Sequence, residues 1–185
     1  MNPLKQVDIL IDRYPELIEQ RKNIIDAYYI LEKCYENGGK LLIAGNGGSA
    51  SDSEHIVGEL MKGFEKSRKF SEEDKKELLD VDNEMGKILG ENLQYALPAI
   101  ALDGHSSLST AYMNDCEPLL CFAQQVNGFG KEGDVFLAIS TSGNSQNVVY
   151  ASIVAKAKKM KTIALTGAKD SRLSELADVT IHSTN

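Results

Sequence analysis

Short apolar runs and stretches of helical periodicity alternate along the chain. Leu41–Ala44 and residues 96–102, 135–139, 162–166 and Val179–His182 are short and mostly apolar, and they end at Gly, Asp, Ser or Thr, as buried strands do. Between them the spacing predicts helices over 3–14 and 15–37, after Gly45–Ser49, in two stretches of 104–126 broken near Asn114, Asp115 and Pro118, through Val148, Val149, Ile153, Val154 and Ala157, and around 173–177. The strand and helix alternation is that of an α/β fold. It implies a doubly wound, five-stranded parallel sheet with helices on both faces, an N-terminal helical extension and ligand loops at the carboxyl edge.

Two strand-to-helix junctions carry the chemistry. After Leu41–Ala44 the chain reads Gly45, Asn46, Gly47, Gly48, Ser49, with Ser49, Ser51 and Asp52 available as helix N-caps. After the third strand it reads Ser140, Thr141, Ser142, Gly143, Asn144, Ser145, so hydroxyls and backbone amides can converge on one anion without formal charge. Each taken alone is also compatible with an ordinary turn. Two such loops at the ends of two strands in one domain favour an anion site. Asp103 ends the second strand, where open α/β sheets place ligand-facing residues. On the first helix His55 and Glu59 stand i, i+4 on one face, a spacing that suits a base, a metal pair or a solvated polar face. His105 and His182 have no sequence-adjacent partner and are read as structural.

Composition narrows the classes. With 42% hydrophobic and 25% charged residues in 185, this is ordinary globular material and is read as a single domain, 1–185. No segment approaches the ~20 apolar residues of a membrane span, and the N-terminus lacks a basic region followed by an apolar core, so a cytoplasmic protein is expected. A net charge of −7 argues against nonspecific binding to nucleic acid or anionic lipid. Cys34, Cys116 and Cys121, an odd count without CxxC spacing, are expected as buried free thiols. The helices of 1–37 carry apolar positions wider than one stripe, which points to cover by another subunit. Residues 65–95 are the least apolar part of the chain and read as a charged helical insertion, one or two solvated helices.

AGNGGSASDSEH followed by AISTSGNSQNV resembles the sugar isomerase (SIS) domain family, and within it the bacterial phosphoheptose isomerases that act on sedoheptulose 7-phosphate. The resemblance runs from about Gly38 to His182. It implies the flavodoxin-like SIS fold, a homotetramer, a phosphorylated sugar as substrate and no nucleotide cofactor. By the same resemblance Ser140, Thr141, Ser142 and Ser145 hold the sugar phosphate, and Asn46, Gly47 and Ser49 contact substrate. Glu59 matches the catalytic acid/base glutamate, and His55 matches a histidine that binds zinc in some members, a site for which His55 and Glu59 are an incomplete set. The family's Arg shortly after that glutamate is replaced here by Leu60, Met61, Lys62 and Gly63, which moves the contact to Lys66 or Arg68 or removes it. The resemblance further implies a C-terminal helix with a Gln and a second catalytic His past the last strand, so that part of the acid/base machinery is expected to be absent from these 185 residues.

Two functions are consistent with this reading. One is aldose–ketose isomerisation with Glu59 as base and the acid left open among Asp103, His105 and a residue of a neighbouring subunit. The other is a noncatalytic phosphosugar-binding module, or a regulator of the kind that associates with the replication initiator DnaA. The pairing of His55 with Glu59 favours the isomerase.

Overall fold

A computed structural model describes residues 3–183. Strands β1 (Leu41–Ala44), β2 (Ala99–Ala101), β3 (Val135–Ser140), β4 (Lys161–Thr166) and β5 (Val179–His182) form one parallel sheet in the order β2-β1-β3-β4-β5. This is the flavodoxin-like order, and it places the reversal of strand order between β1 and β3.

Alternation along each strand divides the core into two layers. Leu42, Ala44, Phe136, Ala138 and Ala164 face α7 (Cys121–Phe129) and α8 (Gln146–Ala157), where Phe122, Val126, Val148 and Ala151 are buried. Leu41, Ile43, Val135, Ile139 and Ile163 face the other way, toward α2 (Arg21–Glu36) and α3 (Gly48–Met61), through Ala27, Cys34, Ile56, Val57 and Leu60. The remaining helices are α1 (Pro3–Arg13), α4 (Glu72–Val81), α5 (Asn83–Asn92), α6 (Ser106–Asp115) and α9 (Arg172–Leu176). Among the described residues no helix is long and apolar enough to cross a membrane.

The structure departs from the sequence reading at identifiable residues. β2 begins at Ala99 rather than at 96, because Pro98 has no N–H to give to a ladder and contributes only its carbonyl, which accepts from Leu41 N at 2.9 Å. Helix α3 begins at Gly48, with Gly47 at the N-cap (φ +58, ψ −120) and no side-chain cap. Ser49, Ser51 and Asp52 therefore lie inside the helix instead of capping it. Cys34 and Cys121 are buried free thiols, but Cys116, the residue that closes α6, is exposed.

At the amino edge one buried carboxylate fixes how β1 and β3 enter the sheet. Asp134 accepts from Lys40 N at 3.0 Å, from Lys131 N at 2.9 Å and from Lys40 Nζ at 2.5 Å. Removing it strands two backbone donors and one cation. Asp134→Ala should lower unfolding free energy by roughly 3 kcal/mol, read as a lower urea midpoint at unchanged slope. An unchanged midpoint would show that the pairing of β1 with β3 does not need this staple.

Candidate active site

The strand reversal brings the two glycine- and hydroxyl-bearing loops side by side at the carboxyl edge. Asn46, Ser49, Ile139, Ser140, Thr141, Ser142 and Ser145 line a cleft of about 250 Å³. Two reciprocal bonds lock the loops together: Asn46 Nδ2 donates to Asn147 Oδ1 at 3.0 Å, and Asn147 Nδ2 donates to Asn46 Oδ1 at 2.9 Å. Asn147 is not evident from the sequence. The available signal is an Asn in the first turn of a helix, where its side-chain carbonyl also accepts from Val148 N at 3.0 Å, beside the bond that amide makes to the Ser145 carbonyl.

Within the second loop three hydroxyls face one another, and Ser142 Oγ also accepts from Asn144 N at 3.2 Å. Ser145 is the N-cap of α8 but makes no capping bond; its hydroxyl meets Ser140 Oγ at 2.9 Å, and Ser142 Oγ lies 3.5 Å from the same atom. Val148 and Val149 close back on the Ser145 carbonyl, so the amides ahead of them have no intrahelical acceptor and stand at the positive end of the helix dipole. The loop is held from behind. Gly143 has φ +64, and a Cβ there would lie 2.0 Å from Ser171 Oγ, so the tight turn over α9 admits only glycine. Asn144 donates to the Ser142 carbonyl at 2.8 Å and accepts from Arg172 N at 3.0 Å. The result is a rigid cluster of neutral donors at a helix N-terminus, a construction suited to a phosphate dianion.

The other residues singled out from the sequence lie outside this cleft. Gly47 shapes the first loop and does not line the cleft. Asp103 is turned behind that loop, with both carboxylate oxygens buried and without a hydrogen-bond partner. Burial pushes its pKa up to about 6, and the Glu54 carboxylate adds to the rise, against the opposing dipoles of its own N–H, the Ser53 hydroxyl and Gly45 N–H. Ser53 spends its hydroxyl elsewhere, on the Ser49 carbonyl at 2.8 Å. His105 is fixed by Gln125, Nδ1 to Oε1 2.7 Å, and packs on Phe129; His182 is held by the Gly167 carbonyl at 2.8 Å.

Glu59 sits at the opposite end of α3 from the loops. It is ten residues beyond Ser49, about 15 Å along the axis at 1.5 Å per residue. There it lines a second cleft of about 520 Å³ with Lys62, Phe64, Lys66 and Arg68, and its Oε1 lies 3.0 Å from Lys62 Nζ. The two clefts share no residue. His55 Nε2 stands 3.9 Å from Glu59 Oε1. No group of three or more His, Cys, Asp or Glu side chains able to hold a metal occurs among the described residues. Two donors fall short of the three or four that zinc takes, so one copy does not by itself fit the ion.

This architecture has close relatives. A phosphoheptose isomerase of a Nitratiruptor species is 37% identical over 163 residues, covering 88% of this chain and 73% of the relative, and one of Dechloromonas aromatica is 39% identical over 160 residues, covering 86% and 68%. The chain belongs to the phosphoheptose isomerase family. The SIS domain model matches residues 80–167. Among solved structures, the phosphoheptose isomerase GmhA from Neisseria gonorrhoeae superposes with TM-score 0.70 at 28% identity over 99% of this chain and 81% of that one. A phosphoheptose isomerase from Francisella tularensis gives 0.71 at 29% identity, over 98% and 86%.

The Asp103 environment carries a pH signature. A carboxyl whose folded pKa lies above its unfolded value of about 3.9 favours the fold while protonated, so its contribution is full below pH ~4 and is lost as pH rises through about 6. The melting temperature of Asp103→Asn minus that of the parent should therefore rise between pH 4 and 6.5 and then level. A difference that stays flat across that window would show that Asp103 is not held in a desolvated site.

Proposed function

We propose that the chain is a phosphosugar isomerase of the sedoheptulose 7-phosphate type, with an active site assembled from the hydroxyl cleft of one copy and Glu59 of another. The observation that carries the composite site is the separation of the two clefts along α3, a helix packed on the sheet through Ile56, Val57 and Leu60 and so unable to bring its far end to its own loop. Family membership supports the reaction. A homotetramer, the state implied by the family resemblance, would bring such half-sites together. Exposed Ile9, Tyr14, Ile18 and Tyr29 on the N-terminal helices supply apolar surface for it. A phosphorylated substrate accords with a cytoplasmic enzyme.

In this reading Ser140, Thr141, Ser142 and Ser145 bind the phosphate with the first amides of α8, and Asn46 and Ser49 hold hydroxyls near it. The sugar then extends to the second copy, where Glu59 removes the proton from the carbon beside the carbonyl. The C–H electron pair becomes the C=C bond of an enediolate, and the carbonyl oxygen takes up the charge. Lys62, Lys66 and Arg68 line that cleft, cations placed where this charge develops. Protonation of that oxygen, loss of the neighbouring hydroxyl proton and return of the carboxyl proton to the former carbonyl carbon complete an exchange with no net oxidation.

Two variants test the two halves. Ser142→Ala with Ser145→Ala should weaken binding of sedoheptulose 7-phosphate at least tenfold by calorimetry, since a hydrogen bond to a charged group contributes roughly 1.5–3 kcal/mol; equal affinity would put the phosphate elsewhere. Glu59→Gln keeps the shape of the side chain and removes the base. Binding should survive while turnover, and exchange of a C1 proton of sedoheptulose 7-phosphate with deuterated solvent, fall by roughly 10²- to 10⁴-fold. Wild-type exchange rates in Glu59→Gln would remove Glu59 from the mechanism, and a parent protein that binds without exchanging would favour a noncatalytic module.

A further inference from the structure

The proposed reaction makes no use of Asp103, a carboxyl that the fold places behind the first loop. Ala101 lies opposite Ile43, and Leu102 N donates to the Ile43 carbonyl at 2.8 Å, so the chain leaves β2 alongside the turn at Gly45. There both Asp103 oxygens are buried and neither has a hydrogen-bond partner. An ionised carboxylate is costly in that state, and it has to take up either a proton or a donor. Four groups bear on it without reaching bonding geometry: its own N–H, the Gly45 N–H, the Ser53 hydroxyl and the like-charged Glu54 of α3. Asp52, the other acid of that turn, is exposed, and His105 is turned to Gln125 of α7. The first loop, Gly45–Ser49, holds no ionisable side chain.

The two neighbours with protons to offer also control Ser49. Ser53 is fully buried, and its hydroxyl donates to the Ser49 carbonyl at 2.8 Å. Gly45 lies so close to the same residue that a Cβ on it would stand 2.5 Å from the Ser49 carbonyl oxygen and 2.7 Å from Ser49 Cβ. Ser49 in turn lines the hydroxyl cleft with Ser140, Ser142 and Ser145. A serine hydroxyl has one proton, and Ser53, sealed from water, serves either the Ser49 carbonyl or Asp103 but not both.

We infer that Asp103 is a positioning residue for the hydroxyl cleft, which as the neutral acid holds Ser53 on the Ser49 carbonyl and as the carboxylate draws Ser53 away; the inference rests on the proposed reading of that cleft as the phosphate site. Neutral Asp103 donates its O–H to Ser53 Oγ, and Ser53 keeps its own proton on the Ser49 carbonyl. Ionised Asp103 only accepts, so it competes for the Ser53 proton and slackens the first turn of α3 at Ser49. A dianion in the cleft also meets one negative charge fewer when Asp103 is neutral. Both effects have the same sign. Proton and anion therefore favour each other's binding, by the same factor in each direction. Burial, and after it Glu54, puts the Asp103 pKa at about 6, so the cleft is in its tighter form below that pH and loses it above. No ionisable side chain lines the cleft itself, which keeps other titrations at a distance.

Sulfate is the probe, a tetrahedral dianion that does not itself titrate between pH 5.5 and 8. Calorimetry on the full chain should show it bound at least threefold more tightly at pH 5.5 than at pH 8. Asp103→Asn, whose amide donates to Ser53 as the neutral acid does, should bind as tightly at pH 8 as the parent does at pH 5.5, a gain that a merely structural lesion does not produce. Ser53→Ala keeps the charge of Asp103 but removes the link to Ser49, and should lose at least half of the pH effect; circular dichroism at each pH checks that both variants are folded. The parent's full pH dependence retained in Asp103→Asn would overturn the inference. Its retention in Ser53→Ala would reduce Asp103 to a distant charge and overturn the positioning role. A parent that binds sulfate equally at both pH values overturns it too, while leaving the cleft as the anion site. A parent that binds no sulfate at all overturns it together with the phosphate reading. The complete sulfate pattern in a protein that isomerises no ketose phosphate supports Asp103 and removes the enzymatic reading instead.

Discussion

The site depends on the parallel pairing of β1 with β3. Leu41 lies opposite Val135 and Ala44 opposite Ala138, so the two strands end at adjacent points and release their loops into the same crevice. In a sheet ordered 2-1-3-4-5 this is the place where successive helices leave on opposite faces, and no helix crosses the gap between the loops. Asp134 secures the other end of the same pair by holding Lys40 and Lys131 where the strands begin. A slip of one residue in this register would turn Leu42 and Phe136 to the wrong layer and separate Asn46 from Asn147, so core packing and site geometry are enforced by one arrangement.

As the proposed phosphate site, the hydroxyl loop answers a difficulty posed by the charge of the chain. A net-acidic protein has to take up a dianion, and no cation lines the hydroxyl cleft. Hydroxyls that rotate to donate, with amides at a helix N-terminus, supply hydrogen bonds without requiring a buried lysine or arginine to be desolvated when the site is empty. The cations lie instead around Glu59, where the proposed reaction would develop charge. Under the proposed function, binding charge and catalytic charge would be kept on different ends of α3, each matched to the form of substrate it meets.

Much of this is legible in the sequence because the signals are local. Leu41–Ala44 and Val179–His182 are apolar or β-branched runs cut off by turn-forming residues, and their bounds coincide with the strands. The second strand reads too long because its apolar residues continue through a proline that the ladder excludes. The start of α3 is misplaced for a related reason: side-chain capping rules look for Ser or Asp, whereas here a glycine in a left-handed conformation makes the turn. Hydroxyl types identify the second loop, but the Asn46–Asn147 pair joins residues 101 apart and no local pattern reports it. The distance between Glu59 and the hydroxyls is also hidden, since both motifs read as part of one site until α3 is laid out at its full length. In the insertion Ser71 and Asp82 mark two helix starts, while high charge masks the exposed Met85, Ile88 and Leu89.

Rigidity decides how the proposed base and phosphate site can meet. For one copy to bring Glu59 to its own Ser142, α3 would have to leave the sheet layer it shares with Leu41, Ile43 and Ile139, exposing Ile56, Val57 and Leu60. At about 25 cal/mol per Å² of apolar surface, uncovering three such side chains costs several kcal/mol before any backbone bond is lost. Bringing up a second copy requires no such disruption and covers apolar surface that a lone chain leaves in water. With the composite site proposed above, catalysis would be linked to assembly by mass action: whatever stabilises the oligomer would raise the fraction of complete sites, and bound substrate, by spanning both copies, would stabilise the oligomer in return.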